Sequence, residues 1–130
     1  MIQAEDNRTP IINVVDLEKS FGQTRVLRGV NLEVYSGETM VIMGGSGCGK
    51  STLLRHMIGS LTPDSGRVEL FARDIGSLPE RELDTIRKRF GVLFQSGALL
   101  NSLTVGQNVA LPLNEHRDLD AATIDIIVRI

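Results

Sequence analysis

The chain holds 130 residues, 42% of them hydrophobic and 23% charged, which is enough apolar material for a packed core and too much for a disordered chain. Its 14 Lys and Arg against 16 Asp and Glu leave a net charge of -2, which argues against a nucleic-acid partner held by backbone neutralisation. A single cysteine excludes a disulfide scaffold and any multi-thiolate metal centre, and no run nears the roughly 20 apolar residues of a membrane span.

In chain order, residues 1–10 carry acid and no apolar core, so they read as a flexible leader and not as a signal peptide. IINVVDL (11–17) predicts a strand and EKSFG (18–22) a turn. VLRGVNLEV (26–34) alternates as a strand with one wet face does, and Ser36-Gly37 ends it. TMVIM (39–43) is continuously apolar, the pattern of a central strand covered on both faces. Over residues 50–58, Leu53, Leu54, Met57 and Ile58 fall at helical spacing, with Gly59 placed to stop the helix.

After the turn LTPDSG, residues 67–71 alternate as a strand, and LPERELDTIRKR (78–89) has acid early and base late, the order that suits a helix dipole. FGVLF (90–94) predicts another buried strand and residues 95–104 a loop. Residues 105–113 predict a short helix ended by Pro112. From Asp118 to the end a helical stripe forms through Leu119, Ala122, Ile126 and Ile130, widened by Ile124, Ile127 and Val128. The alternation of strands and helices predicts an α/β core with an additional, partly antiparallel sheet at the N-terminal end.

GGSGCGKS (44–51) fits G-x-x-x-x-G-K-[ST], with an apolar strand pattern before it and a helical pattern after it. That order lets a glycine loop wrap a phosphate chain while the first helical N–H groups point at it. Lys50 would reach the β and γ phosphates, Ser51 would ligate Mg2+, and Thr52 would serve the α phosphate. Cys48 lies beside a lysine and a helix N-terminus, which favour thiolate; the plainer reading is a small side chain that the loop tolerates, with a redox sensor as the minor alternative. His56 and His116 have no metal-ligand arrangement around them and read as structural or solvated. The charges from Glu80 to Arg89 read as a wet helix face.

A phosphate loop alone does not choose among transporters, kinases and GTPases. Together with Phe21-Gly22 upstream and Gln95 at the end of FGVLFQSGALL (90–100), GGSGCGKST resembles the nucleotide-binding subunit of ABC transporters. The resemblance implies a P-loop NTPase of the ABC ATPase type, with a mixed core sheet and an N-terminal antiparallel β-subdomain. It gives Phe21 the adenine-stacking position, here without the hydroxyl of the commoner tyrosine, although an isolated phenylalanine also serves simple packing. It places ATP on Phe21, Gly44, Gly45, Ser46, Gly47, Cys48, Gly49, Lys50, Ser51 and Thr52. Mg2+ falls to Ser51 and Gln95, and the catalytic contacts to Lys50 and Gln95, with a solvated loop residue as the bland alternative for Gln95.

The stretch VLFQSGALLNSLTVGQNVALPL (92–113) is similar to the ATPases of Mla-type phospholipid and toluene-tolerance transporters. That implies ATP-driven phospholipid transport between the inner and outer membranes, with this subunit at the cytoplasmic face of a bacterial inner membrane, held there through the permease. The implied partners are an integral permease, a second nucleotide-binding subunit, a periplasmic lipid-binding protein and a small accessory subunit. An ABC ATPase for another cargo, such as amino acids or lipoprotein release, and a nucleotide-binding regulatory module without hydrolysis are the alternatives. The family's LSGGQ-type signature, magnesium aspartate, adjacent glutamate and switch histidine do not occur in the sequence. Residues 11–130 are therefore expected to be the N-terminal part of a nucleotide-binding domain, with 118–130 entering the helical subdomain and little or no turnover on their own.

Overall fold

A computed structural model describes residues 9–95, 97–116 and 119–130, without the side chain of His116. Most of the leader expected over 1–10, Ser96, and Asp118 at the expected start of the last helix lie outside the described residues. The chain divides into two compact units, Met1–Gly91 and Val92–Ile130.

The first unit is built on an antiparallel sheet of β1 (Ile12–Phe21), β2 (Thr24–Val34), β3 (Ser65–Leu70) and β4 (Arg73–Asp74), in the order β2-β1-β3-β4. β1 is longer than its apolar run: residues 18–21, expected as a turn, pair with β2 as far as Phe21 opposite Thr24. Their charges find partners on both faces: Glu18 meets Arg25 at 2.8 Å and Lys19 meets Asp64 at 2.8 Å. The turn shrinks to Gly22-Gln23, with Gly22 at φ 59.

A bulge interrupts β1. Val14 faces Leu32 and Leu17 faces Val30, so β1 takes three steps against two of β2. The extra length turns at Asp16, φ 46, whose N–H donates to Asn31 Oδ1 at 2.9 Å while Asn31 Nδ2 donates to Asp16 Oδ1 at 2.8 Å. On the other side β3 passes so close that a Cβ on Gly66 would lie 2.3 Å from the Asp16 carbonyl oxygen.

Helix α1 (Lys50–Met57) turns Leu53, His56 and Met57 inward against this sheet, where they join Val14, Leu17, Leu27, Val34, Val68 and Leu70. It ends as its glycine predicts: Gly59 at φ 68 donates to His56 O at 2.9 Å and Ser60 to Arg55 O at 2.8 Å, a Schellman closure. A 3-10 turn (Ile75–Ser77) leads to α2 (Glu80–Arg87), which buries Leu83 and Ile86. Arg87 binds Glu80 and Asp84 on its own helix and donates to Gly59 O at 2.6 Å, fastening α2 to the end of α1.

The fold is α/β, with the expected antiparallel subdomain, but two expected strands form no ladder. Residues 39–43 run without a strand neighbour, with Val41 67% and Met43 87% exposed, and Leu93 in the 90–94 segment is 90% exposed. Their continuous apolar pattern suits a strand flanked on both sides, and a strand exists only where a partner supplies its hydrogen bonds. Among the described residues nothing does.

In the second unit, α3 (Val105–His116) starts at a reciprocal cap in which Thr104 N donates to Gln107 Oε1 at 2.8 Å and Gln107 N to Thr104 Oγ1 at 3.2 Å. Pro112 does not end this helix, as expected from sequence, but lies inside it. It removes one backbone bond, the one its N–H would make to the Asn108 carbonyl, and the flanking turns hold. α4 (Ala121–Arg129) is capped by Asp120, which accepts from Thr123 N at 2.8 Å. The stripe expected through Leu119, Ala122, Ile126 and Ile130 is exposed. Ile124 and Val128 are its half-buried apolar residues, and Val128 comes within 3.3 Å of where a Cβ on Gly106 of α3 would be.

Replacing Gly66 by alanine drives a methyl into the Asp16 backbone at a positive φ. The Gly66→Ala variant is expected to lose about 2 kcal/mol or more of stability, read from urea and thermal melts; wild-type midpoints would refute this account of the bulge.

Candidate nucleotide-binding site

Gly49 is the N-cap of α1, with φ 102, and no side chain caps the helix there. The first intrahelical bond closes from Leu53 N to Gly49 O at 2.8 Å, which leaves the N–H groups of Lys50, Ser51 and Thr52 without an intrahelical acceptor. Such an end carries partial positive charge and directs N–H groups outward. Gly47 at φ 78 bends the preceding backbone, and Cys48 N reaches back to Gly45 O at 3.4 Å.

Lys50 crosses this loop. Its Nζ donates to the carbonyls of Gly44 and Gly45, both at 2.7 Å, so an ammonium sits among the glycines with the helix end beside it. Cys48 Sγ lies 3.6 Å from Nζ and 2.6 Å from where a Cβ on Gly44 would stand. The thiol thus occupies the space that glycine at 44 leaves open, which gives the small side chain at 48 a packing reason. Ser46 and Ser51 are exposed and Thr52 is half-buried. The Thr52 carbonyl takes a second contact from the ring of His56, whose Nδ1 lies at 2.7 Å. His56 is fully buried in the core and so is structural.

The loop rests on β2. A Cβ on Gly49 would approach Leu27 Cδ2 and Val26 Cγ1 at 3.1 Å and Val26 O at 3.3 Å. Val26 stands two residues beyond Thr24, the partner of Phe21, about 7 Å along the strand, so the hairpin end that bears Phe21 is the end that meets the loop. Phe21 is 51% exposed, with Lys19 Nζ 5.8 Å from its ring centroid. The ring is half in water and is not part of the core cluster.

Sequence reading missed what holds that corner. Asp64, in the turn after α1, pairs with Lys19 Nζ at 2.8 Å and accepts from Ser20 N at 2.7 Å, while its own N–H donates to Glu18 O at 3.0 Å. Lys19 also donates to Thr62 O at 2.8 Å. These residues lie more than 40 positions apart, and LTPDSG signals only a turn, so the sequence carries no sign of the clamp. Gln95 belongs to the second unit; it is exposed, in a bend that Gly97 N closes on Phe94 O at 2.9 Å. Among the described residues no group of three or more His, Cys, Asp or Glu side chains could hold a metal ion, and no helix is long and apolar enough to cross a membrane.

A glycine loop with a lysine across it, opening an uncapped helix on a sheet, defines a P-loop nucleotide-binding domain. The family follows from direct comparison: the ABC transporter model matches residues 27–128, and the chain belongs to that family. It is 46% identical over 108 residues to the methionine import ATP-binding protein MetN of Mesorhizobium japonicum, covering 83% of this chain and 30% of that one. It is 42% identical over 126 residues to the probable ribonucleotide transport ATP-binding protein mkl of Mycobacterium leprae, covering 95% of this chain and 36% of that one. The chain thus spans about a third of the length of the curated relatives it matches. The fold is similar to the ATP-binding cassette MJ0796 in a dimeric post-hydrolysis state bound to ADP and Pi, with TM-score 0.80 and 30% identity over 90% of this chain and 53% of that one.

The clamp at Asp64 makes a pH prediction. Its carboxyl is held below the ordinary range, first by the Lys19 hydrogen bond and then by the Ser20 N–H. A carboxyl with a depressed folded pKa contributes stability that is complete above its unfolded value near about 4 and is lost as pH falls through the folded value. Asp64→Asn is therefore expected to lower Tm at pH 7 and to converge on wild type in acid, below the folded pKa. Parallel melts at the two pH values check this; an equal deficit at both would contradict it.

Proposed function

We propose that this chain forms the ATP-binding part of an ABC transporter ATPase subunit, and that residues 11–130 are the N-terminal part of its nucleotide-binding domain. The observation that carries the proposal is the uncapped α1 N-terminus beneath the Lys50 ammonium. Phosphate oxygens would replace the Gly44 and Gly45 carbonyls as acceptors for Lys50, and the loop N–H groups from Gly45 through Thr52, Ser46, Gly47, Cys48 and Gly49 included, would line the phosphate chain. Phe21 would stack on adenine, favoured by its exposed ring at the hairpin end nearest the loop. Ser51, exposed in the first helical turn, fits a hard cation that takes oxygen ligands, with Gln95 as the second protein ligand. Bound with the nucleotide, Mg2+ supplies charge neutralisation at the β and γ phosphates; Lys50 and the loop N–H groups hold those oxygens in place.

The whole protein would act in pairs of such subunits at the cytoplasmic face of an inner membrane, docked on an integral permease. For cargo we take phospholipid, with periplasmic lipid-binding and small accessory subunits, on the strength of residues 92–113. The likeness to a methionine import protein favours a second reading, an amino-acid cargo.

Lys50→Ala is expected to weaken binding of a fluorescent ATP analogue to this chain at least tenfold, because a charge-assisted contact to phosphate is lost. Unchanged affinity in the titration would refute the site. The chain alone is expected to show little or no phosphate release, since the residues that activate water in the family are absent from it. Cargo is decided in the full-length subunit with its copurified permease, by whether phospholipid or an amino acid raises ATPase rate.

A further inference from the structure

The Lys19 side chain is only 15% exposed, although it ends in an ammonium. Two acceptors on the turn after α1 hold that ammonium, Asp64 Oδ1 and Thr62 O, both at 2.8 Å from Nζ. The turn is itself tied to β1, because Asp64 Oδ2 accepts from Ser20 N at 2.7 Å and Asp64 N donates to Glu18 O at 3.0 Å. A cation bound through two charge-assisted or short hydrogen bonds to a tethered turn has little freedom to swing away.

The same ammonium stands over the ring of Phe21, 5.8 Å from its centroid. That is inside the roughly 6 Å over which a cation is drawn to an aromatic face. The ring has no place in the core cluster, and 51% of the residue is exposed. Lys19, Phe21, Thr62 and Asp64 all belong to the first unit, so the whole arrangement stands on direct contacts within one compact body.

We propose that Lys19 is the positioning residue of Phe21: its ammonium, fixed by Asp64 and Thr62, occupies one face of the ring and leaves the opposite face to a purine base. The proposal rests on the reading of Phe21 as the adenine-stacking residue and goes beyond it by assigning the face and what holds it. A ring restrained before the nucleotide arrives loses less rotamer freedom when the base stacks. A cation on one face also offsets the negative face of the ring's quadrupole, which favours a second π-system on the other. The helix whose start forms the phosphate cradle thus carries, in the turn after its end, the groups that prepare the base site.

The test is a pair of calorimetric titrations on this chain, one with ATP and one with inorganic tripolyphosphate, which has no base. Lys19→Met keeps the stem and removes the ammonium; it is expected to weaken ATP binding about threefold to fivefold and to leave tripolyphosphate binding as in wild type. Lys19→Arg, which keeps a cation at the ring, is expected to retain wild-type affinity for both. In a Phe21→Ala background, Lys19→Met is expected to cause no further loss. Should Lys19→Met not fold, Asp64→Asn, which keeps an oxygen for Ser20 N and loosens the ion pair, is read in the same way. Equal losses for ATP and tripolyphosphate would overturn the proposal, as would a Lys19→Met effect that persists without the Phe21 ring. Unchanged ATP affinity in Lys19→Met beside a loss in Phe21→Ala would overturn it and leave adenine stacking standing. Unchanged ATP affinity in Phe21→Ala would instead refute the stacking reading, and the proposal with it.

Discussion

A backbone that must come close to a phosphate chain cannot carry large side chains, and a backbone without them has little with which to hold its own shape. This constraint organises the first unit. The fixed point of the loop over residues 44–49 is Gly49, at φ 102 and seated against Val26 and Leu27 of β2, where a methyl would be a tight fit. Leu27 is part of the core, so the start of α1 is placed by the same packing that stabilises the sheet. The helix end is then free to leave its N–H groups uncapped because its other end is closed by Gly59 and its apolar face is buried.

The sheet beneath is placed in turn by features that look irregular. The bulge at Asp16 takes up one extra residue, and the Asp16 and Asn31 side chains satisfy each other where the ladder is interrupted. The offset is local: it sets Leu17 opposite Val30, and at Glu18 opposite Arg28 the register of Val14 and Leu32 is restored. Arg87 joins the exit of α1 to α2.

Much of this was legible. The glycine spacing, Lys50, Ser51 and the helical stripe after them are local signals, because a phosphate loop is a contiguous stretch whose chemistry is written in neighbouring residues. The start of α1, the stop at Gly59 and the end of β2 at Val34 followed from period and turn chemistry in the same way. The errors share a cause. Residues 18–21 looked like a turn because charge was read as a break, while in the fold Lys19 and Glu18 find partners across the sheet. Pro112 looked like a helix end because the local rule counts one missing bond and not the turns on either side. In the last helix it is Ile124 and Val128, read only as widening the stripe, that are half-buried, since its apolar residues are too many to choose a centre until α3 is beside it.

The sequence by itself determined that this is a P-loop protein of the ABC type, because that property depends on residue identity at fixed short spacing. Only the tertiary structure decided what supports the cradle: the seat of Gly49 on β2, the Asp64 clamp on β1, and the Asp16 bulge against Gly66. It also decided that the apolar runs over residues 39–43 and 90–94 remain unpaired among the described residues. Each of these is a contact between positions far apart in the chain or a ladder that needs a partner, and such contacts leave no mark in the local pattern of either segment.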